Sequence, residues 1–417
     1  GSEEPLSDEL HAEAEKMADQ GYRVLAIACR RFDSVPGTLH PDEIESEMQF
    51  LGLVGLIDPP RPEALKAVRD CRTAGIHPVM ITGDHPGTAR AIARRLEIAS
   101  DGVMTGAEMA QLGDEELARR VKEISVYARV SPEQKIEIVK ALQAHGEYVA
   151  MTGDGVNDAP ALKRANIGIA MGQKGTDVAR EASDMVLMDD NFATIVRAVR
   201  EGRRIFDNIR KFIKYTMTSN SGEVWTLFLA PFLGLPLPLV PVQILWINLV
   251  TDGLPGLAMS LEPHEKNIMQ RPPRPPEERI FAHGMWQHML WVGLLIGGLS
   301  LGAQAWAWHG GSENWQTIVF TVLTFSQLVH ALVIRSETES LFSIGLFSNP
   351  QLLLAVLLTV VLQLVVIYVP FFNDVFQTSP LEMRELLVCF LLPLVVFVLV
   401  ELEKLASRRG WLYDSKR

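Results

Sequence analysis

The strongest constraint on the fold of this 417-residue chain is a change in composition about half way along it. Residues 1 to about 205 have the charge and apolar content of a soluble α/β domain. From about residue 212 onward there are apolar stretches of roughly 18–22 residues, the length of a helix that crosses a bilayer. Six such spans are predicted, over residues 212–233, 241–261, 286–308, 317–334, 351–370 and 386–402.

The distribution of basic residues predicts how these spans are oriented. Basic residues concentrate in the loop between spans two and three, after span four and after span six. They are Lys266, Arg271, Arg274, Arg279, Arg335, Lys404, Arg408 and Arg409. By the positive-inside tendency, we expect an integral multi-pass protein whose soluble part and C-terminus are cytoplasmic. Plasma membrane and internal membrane are both compatible with this pattern.

Charge and cysteine content exclude some partners. The formal net charge of −11 argues against a nucleic-acid partner. Cys29, Cys71 and Cys389 lie far apart without the spacing of a metal site, and are expected to be free thiols.

Two segments of the soluble half share one pattern. "HPVMITGDH" (His77–His85) and "EYVAMTGDG" (Glu147–Gly155) are apolar runs that end in Thr-Gly-Asp. A predicted helix follows each, over residues 86–96 and 159–165, and a third begins after the N-cap Ser131. This alternation predicts a parallel sheet with helices on both faces, and ligands at the carboxyl ends of its strands.

The stretch "MTGDGVNDAP" (Met151–Pro160) suggests a phosphate site with a metal ion. Glycines allow close approach of the main chain, and carboxylates at strand ends hold Mg²⁺ while leaving coordination positions for a phosphate. Lys135 is placed to neutralise phosphate charge. The alternative is that Asp-Gly and Asn-Asp are only turn formers.

Polar residues interrupt the first two predicted spans. They are Asn220 and Glu223 in the first span, and Asn248, Thr251 and Asp252 in the second. Gly253 and Pro255 are expected to break the second helix beside them. Ionisable groups within a span usually mark an ion path, although a misplaced span boundary would also account for one acid. Oxygen ligands suit a hard cation such as Ca²⁺, and the lack of Cys and His argues against copper or zinc.

The string "TGDGVNDAPAL" (Thr152–Leu162) resembles the signature of the P-type ATPases, within the haloacid-dehalogenase superfamily. The resemblance extends over four further segments, Asp58–Glu63, Met80–His85, Ala128–Lys135 and Ile167–Gly172. It implies a haloacid-dehalogenase-like α/β phosphorylation domain with a Rossmann-like parallel sheet, followed by an all-α polytopic membrane domain.

The same resemblance implies roles for individual residues. Asp154 matches the Mg²⁺ ligand, and Asp158 matches the residue that supports the metal and phosphate site. The implied phosphate contacts are Thr82, Gly83, Lys135 and Asn157. The implied ATP contacts are Arg23, Asp84 and Arg129.

The segment Ser219–Pro263 resembles the calcium-transporting branch of this family, which includes the sarcoplasmic-reticulum-type pumps. The implied Ca²⁺ ligands are Asn220, Glu223, Asn248, Thr251 and Asp252. Gln327 stands where the reticulum pumps carry a further glutamate, so one site has less charge. One or two transported ions are therefore both possible. Protons are expected as counter-ions, because carboxylates emptied of Ca²⁺ would otherwise be unpaired.

The chain departs from the family in one respect. The Asp-Lys-Thr-Gly-Thr motif that carries the family's nucleophile does not occur in it, nor does the Thr-Gly-Glu motif of the actuator domain. The resemblance thus implies the end of a nucleotide-binding domain (1–50), the C-terminal portion of a phosphorylation domain without the nucleophile strand (51–205), and the membrane domain (206–417). The N-terminal half of a pump is the expected partner.

These expectations combine into one hypothesis and two alternatives. The chain is expected to be part of an ATP-driven Ca²⁺ pump with an aspartyl-phosphate intermediate, inactive alone because the nucleophile is missing. A non-catalytic cation-binding membrane subunit or regulator is the first alternative. A stand-alone phosphatase of the dehalogenase superfamily is the second, and the missing nucleophile weighs against it.

Overall fold

The structure, a computed structural model, describes residues 4–33, 40–46, 48–57, 59–98 and 102–413. Asp58, the first residue of the Asp58–Glu63 segment, lies outside the described residues. The chain divides into two compact units. The first comprises Gly1–Val199 and Met269–Pro276, and the second comprises Arg200–Ile268 and Glu277–Arg417.

The strands of the first unit form three small sheets. The strands are β1 (Arg23–Cys29), β2 (Gln49–Leu56), β3 (Met80–Ile81), β4 (Val103–Thr105), β5 (Val126–Ala128), β6 (Ala150–Gly153), β7 (Ile167–Met171) and β8 (Met185–Leu187). One sheet is the antiparallel pair β1-β2, and the other two are parallel and three-stranded, with the orders β3-β5-β4 and β6-β7-β8.

Helices alternate with the parallel strands, as the sequence predicts. The helices up to residue 182 are α1 (Glu4–Asp19), α2 (Pro41–Ile44), α3 (Pro62–Thr73), α4 (Pro86–Arg95), α5 (Gly106–Met109), α6 (Asp114–Arg120), α7 (Pro132–Ala144), α8 (Ala159–Arg164) and α9 (Asp177–Ala182). The predicted helices after the two Thr-Gly-Asp turns are confirmed as α4 and α8. Ser131 caps α7, and its hydroxyl accepts a hydrogen bond from Gln134 N.

Alternation along β5 places helices on both faces of its sheet. Val126 and Ala128 pack in a core with residues of α3 and α4. Tyr127, between them, packs in another core with residues of α6 and α7. All three β5 residues are fully buried, so this strand is the centre of its sheet.

The predicted parallel pairing is confirmed, and within the described residues the parallel strands form two three-stranded sheets. The two strands that lead into the Thr-Gly-Asp turns belong to different sheets, because β3 pairs only with β5 and β6 pairs only with β7. Both are edge strands, although Ile81 of β3 packs in the same hydrophobic cluster as Met151 of β6.

The second unit is helical. Its helices begin with α10 (Phe192–Leu229), which is continuous over 38 residues and supplies residues to both units. The others are α11 (Pro241–Trp246), α12 (Gly253–Met259), α13 (Met285–His309), α14 (Trp315–Val333), α15 (Leu341–Ile344), α16 (Pro350–Tyr368), α17 (Pro370–Phe376), α18 (Met383–Leu391) and α19 (Pro393–Arg408).

Five helical segments in the described part of the chain are long and apolar enough to cross a membrane. They are Pro241–Met259, Met285–His309, Trp315–Val333, Pro350–Tyr368 and Met383–Arg408. The sequence predicts six, and the first of those, residues 212–233, is not among the five. It includes the C-terminal part of α10, where Lys214, Asn220 and Glu223 make the helix more polar.

Candidate functional site

The first Thr-Gly-Asp turn follows β3 and is held by its own side chains. Thr82 N donates to the carbonyl of Tyr127 at 2.9 Å, which continues the pairing of β3 with β5. The Thr82 hydroxyl donates to Asp84 Oδ2 at 3.0 Å and accepts from Asp84 N at 3.1 Å. Gly83 is exposed, and a Cβ there would meet no atom within 4 Å. The turn therefore presents an open stretch of main chain to solvent.

The second turn, after β6, is organised around the carboxylate of Asp158. Its Oδ1 accepts a hydrogen bond from Lys135 Nζ at 2.6 Å, and its Oδ2 accepts from the main-chain N–H groups of Asp154 and Gly155 at 3.2 and 3.1 Å. Burial raises the pKa of this carboxyl, but Lys135 and the two amides outweigh burial and hold the pKa below its ordinary value. Asp158 thus brings together β6, its turn and α7.

Close contact between the turn and Asp158 requires a glycine at position 153. A Cβ added at Gly153 would lie 2.5 Å from the Cβ of Asp158, a separation that real side chains do not adopt. This glycine of the motif serves packing, whereas Gly83 in the first motif leaves space that a ligand is able to enter.

Asp154 and Asn157 project from the same turn and are exposed. The carbonyl of Asp154 accepts from Thr176 N at 2.9 Å, which anchors its main chain. Its carboxylate makes no hydrogen bond within the described residues. An anchored main chain with a free carboxylate fits a hard cation such as Mg²⁺. The carboxylate of Asp158, by contrast, is already engaged on both oxygens.

The three residues predicted to contact ATP lie in two different parts of the first unit. Arg129 N donates to the carbonyl of Asp84 at 3.2 Å, so these two residues lie together. Arg129 has a φ of 50°, in the left-handed region that non-glycine residues seldom adopt. Arg23 lies on β1, in the antiparallel sheet, and the structure does not bring it to the two Thr-Gly-Asp turns.

In the second unit, two of the predicted cation ligands, Asn248 and Gln327, contact the carboxylate of a third, Glu223. Glu223 of α10 accepts a hydrogen bond from Asn248 Nδ2 at 3.1 Å on one oxygen and from Gln327 Nε2 at 3.2 Å on the other. Glu223 is 5% exposed and Gln327 fully buried. Asn220, on the same helix as Glu223, is half-buried, and its amide makes no hydrogen bond within the described part of the chain.

Several buried oxygen atoms in this unit have no hydrogen-bond partner within the described residues. They are both carboxylate oxygens of Asp252, Thr251 Oγ1, Gln327 Oε1 and Ser219 Oγ. A buried polar atom left unsatisfied costs about 1–3 kcal/mol, and more if it is charged. A bound cation would satisfy such a set, so these atoms fit the hard-cation site that the sequence predicts. Within the described residues there is no group of three or more His, Cys, Asp or Glu side chains that could hold a metal ion. The predicted cation site is not such a group, because many of its oxygens belong to amides and hydroxyls.

The irregularity in the second span is a π-helical segment that ends directly before Asp252 and Gly253. Residues Ile247–Thr251 form this π segment, and Asp252 N donates to the carbonyl of Ile247, five residues earlier. α12 begins at Gly253, after a turn at Asp252, so the regular helix of the span is interrupted beside Gly253 as the sequence predicts. Such π turns occur often at functional sites.

Tyr215 and Ser219 are members of the cluster that the sequence predictions omit. Tyr215 is fully buried, and its hydroxyl donates to the carbonyl of Thr251 at 3.1 Å. The sequence feature that could have identified both residues is their four-residue spacing from Glu223, because residues 215, 219 and 223 lie on one face of α10.

Comparison with known proteins adds independent information. Residues 236–406 match the family model for the C-terminus of cation transporting ATPases, and residues 4–166 and 135–199 match models of haloacid dehalogenase-like hydrolases.

Curated relatives match over most of the chain. A calcium-transporting ATPase of Bacillus subtilis is 49% identical over 91% of this chain and 43% of its own length. Calcium-transporting ATPase 1 of Bacillus cereus is 43% identical over 95% of the chain and 46% of its own length. A probable cation-transporting ATPase F of Mycobacterium bovis is 40% identical over 94% of the chain and 44% of its own length.

The chain thus spans less than half the length of the curated relatives it matches. Both of its parts nevertheless have their counterpart in that family, a haloacid-dehalogenase-like domain and an integral multi-pass membrane region. In both of these parts the chain is similar to the cation-transporting ATPases.

Proposed function

We propose that this chain is part of an ATP-driven pump that moves Ca²⁺ out of the cytoplasm. The observation that carries the proposal is the buried carboxylate of Asp252, neither oxygen of which has a hydrogen bond of normal geometry within the described residues. It lies in the same helical unit as Glu223 and its amide partners. Two carboxylates with neutral oxygens around them suit a divalent hard cation. The names of the relatives support Ca²⁺ as that cation.

On the ATP side, the two Thr-Gly-Asp turns would hold the transferred phosphate. We assign phosphate contacts to Thr82, Gly83, Lys135 and Asn157, and contacts with ATP to Asp84, Arg129 and Arg23. The phosphate would be carried by the aspartate of an Asp-Lys-Thr-Gly-Thr motif. That motif does not occur in these 417 residues.

Asp154 would hold Mg²⁺, which neutralises phosphate charge when bound. Asp158 would be a positioning residue. Its hydrogen bonds to Lys135 and to the main chain of the turn hold the turn so that the side chain of Asp154 faces outward. Lys135 in turn receives a fixed location from Asp158, so its ammonium is held where phosphate charge has to be balanced.

On the membrane side, Glu223 and Asp252 would supply the negative charge of the Ca²⁺ site. Asn248 and Gln327 now direct N–H groups at Glu223. Because only their oxygens ligate a cation, the N–H groups of these amides would have to release Glu223 for Glu223 and the amides to share one ion. Thr251 and Asn220 would contribute neutral oxygens. The charge of this set is compatible with one or two ions.

Residues 1–50, 51–205 and 206–417 would correspond to the end of the nucleotide-binding domain, part of the phosphorylation domain and the membrane domain. The soluble part and the C-terminus would be cytoplasmic, and the N-terminal half of the pump would be the partner.

The test is ATP-dependent ⁴⁵Ca²⁺ uptake by the full-length pump in sealed vesicles. Wild type should accumulate Ca²⁺, and Asp252→Asn should abolish uptake. Asp374→Asn is the matched control, since Asp374 is an exposed acid of α17 and its change should leave uptake intact. Ca²⁺ binding without ATP hydrolysis would instead favour the non-catalytic cation-binding subunit.

A further inference from the structure

A second group of buried polar side chains has no part in the proposed mechanism. His288 of α13, His330 of α14 and Glu403 of α19 are each no more than 8% exposed. They form one hydrogen-bonded row. His288 Nδ1 lies 2.6 Å from Glu403 Oε2, and His288 Nε2 lies 3.0 Å from His330 Nε2.

The partners of Glu403 define where the protons lie in this row. Its Oε1 accepts hydrogen bonds from Trp291 Nε1 at 3.0 Å and from the Tyr413 hydroxyl, so Glu403 acts as an accepting carboxylate. His288 Nδ1 therefore carries a hydrogen and donates it to Glu403. With both imidazoles neutral, His288 Nε2 accepts from His330 Nε2–H. His330 Nδ1 is then a lone pair, buried and without a hydrogen-bond partner within the described residues.

The row ends at two different environments. His288 and Glu403 line a cavity of about 190 Å³ that Arg408, an exposed residue, also lines. At the other end, the His330 ring stacks on Tyr215 with 6.1 Å between ring centroids. Tyr215 is the residue that bonds the carbonyl of Thr251, next to Asp252. The other ionisable groups around the cavity are Lys214, His283, Glu337, Lys404, Arg408 and Tyr413.

We propose that His330, His288 and Glu403 form a proton relay between the membrane interior beside the cation site and this cavity. A proton enters at His330 Nδ1. The Nε2 proton of His330 passes to His288 Nε2, the Nδ1 proton of His288 passes to Glu403 Oε2, and Glu403 releases a proton into the cavity. One proton enters and one leaves. Rotation of the two rings, or a return transfer, restores the starting tautomers.

This inference rests on the proposed Ca²⁺ transport, for which protons are the expected counter-ions. The two ring nitrogens of each imidazole make histidine suited to such a transfer, because one nitrogen accepts a proton while the other releases one. A purely structural role for the row is the competing explanation, and chemical rescue separates the two.

The experiment uses the full-length pump in sealed vesicles with a trapped pH-sensitive dye. Proton flux and ⁴⁵Ca²⁺ uptake are followed together, and equilibrium ⁴⁵Ca²⁺ binding is measured separately. His288→Ala and His330→Phe should each slow the coupled proton flux by at least about tenfold while Ca²⁺ binding stays at the wild-type level. His330→Phe keeps a ring against Tyr215. The matched control is His309→Ala, at the exposed end of α13.

Added imidazole should restore the flux of His288→Ala, because the cavity lies beside the deleted ring, and should not restore that of His330→Phe. Wild-type flux in either variant, or no rescue by imidazole, would overturn the relay. If His288→Ala fails to bind Ca²⁺, Glu403→Gln replaces it as a change of nearly the same shape. Wild-type flux in Glu403→Gln overturns the relay, and a slowed flux supports it.

The wild-type pump separates the relay from the function on which it rests. Ca²⁺ uptake without any proton flux overturns the relay alone. An absence of ATP-dependent Ca²⁺ uptake overturns the proposed function as well.

Discussion

Tyr215 donates a hydrogen bond from its hydroxyl to the main-chain carbonyl of Thr251, at 3.1 Å, and both residues are fully buried. The helical partner of that carbonyl would be the N–H of residue 255, which is a proline and has none. The hydroxyl of Tyr215 therefore satisfies an acceptor that Pro255 leaves free. The same bond ties α10 to the π segment that precedes Asp252.

Tyr215→Phe should accordingly destabilise the cation site. Removing the hydroxyl leaves the carbonyl of Thr251 unsatisfied, at a cost of about 1–3 kcal/mol. We expect both a lower temperature of thermal inactivation and a weaker affinity in equilibrium ⁴⁵Ca²⁺ binding. Tyr368→Phe is the control, because Tyr368 makes a similar bond to the carbonyl of Leu381, and it should leave Ca²⁺ affinity unchanged. Equal affinity losses in the two variants would contradict a local role for Tyr215.

Charge removal should distinguish the acids of the cation site from their amide neighbours. Glu223→Gln and Asp252→Asn should each weaken Ca²⁺ affinity by at least about tenfold, or roughly 1.4 kcal/mol. Gln327→Ala should cost less, since it removes a neutral ligand. Gln327→Glu should tighten any site that Gln327 helps to form, unless the new carboxylate binds a proton. If Glu223→Gln changed neither the affinity nor the number of bound ions, only the region around Asp252 would bind Ca²⁺.

Lys135→Gln should change how stability depends on pH. The pKa of Asp158 lies below its ordinary value of 3.8, so its ionised form stabilises the fold above that pH. This stabilisation is lost as the pH falls through the folded-state pKa. The stability difference between wild type and Lys135→Gln should thus be full above pH 3.8 and shrink below it. Thermal unfolding of the full-length protein in EDTA, across a pH series, measures this difference.

Lys140→Gln provides the control for that measurement, because Lys140 is exposed on the same helix. It should follow the wild-type curve at every pH. A constant difference between wild type and Lys135→Gln down to the lowest pH would show that Lys135 acts by packing and not through the charge of Asp158.

The two glycines of the Thr-Gly-Asp motifs should respond differently to substitution. Gly153→Ala places a Cβ 2.5 Å from the Cβ of Asp158, so we expect a loss of folded protein. Gly83→Ala has open space around the new Cβ and should fold normally, but it should impair phosphorylation by narrowing the approach to the main chain. The yield of folded protein and the level of phosphoenzyme, measured side by side, test this contrast. Normal phosphorylation of Gly83→Ala would remove Gly83 from the phosphate site.

The 417-residue chain itself should form no acid-stable phosphoenzyme, because it lacks the nucleophile motif. The measurement is incubation with labelled ATP, Mg²⁺ and Ca²⁺, followed by acid precipitation. Covalent label on this polypeptide would require another attacking group.

Local sequence patterns were sufficient for much of the fold. Helix α7, with its N-cap Ser131, and the strand-turn-helix segments around the two Thr-Gly-Asp motifs depend on contacts within a few residues. Periodicity and capping report such contacts directly, and hydropathy reports which helices are long and apolar enough to cross a membrane.

Tertiary structure alone decided how these elements combine. Gln327 reaches Glu223 across 104 residues of sequence, and His288 reaches Glu403 across 115. Nothing in the neighbourhood of either residue indicates its partner, because such pairs arise from the packing of whole helices. The position of the π segment also depends on packing, since the Tyr215 hydroxyl satisfies the carbonyl that Pro255 frees. The sequence by itself determined which residue types were available for a cation site, whereas the three-dimensional arrangement decided which of their oxygens remain unpaired.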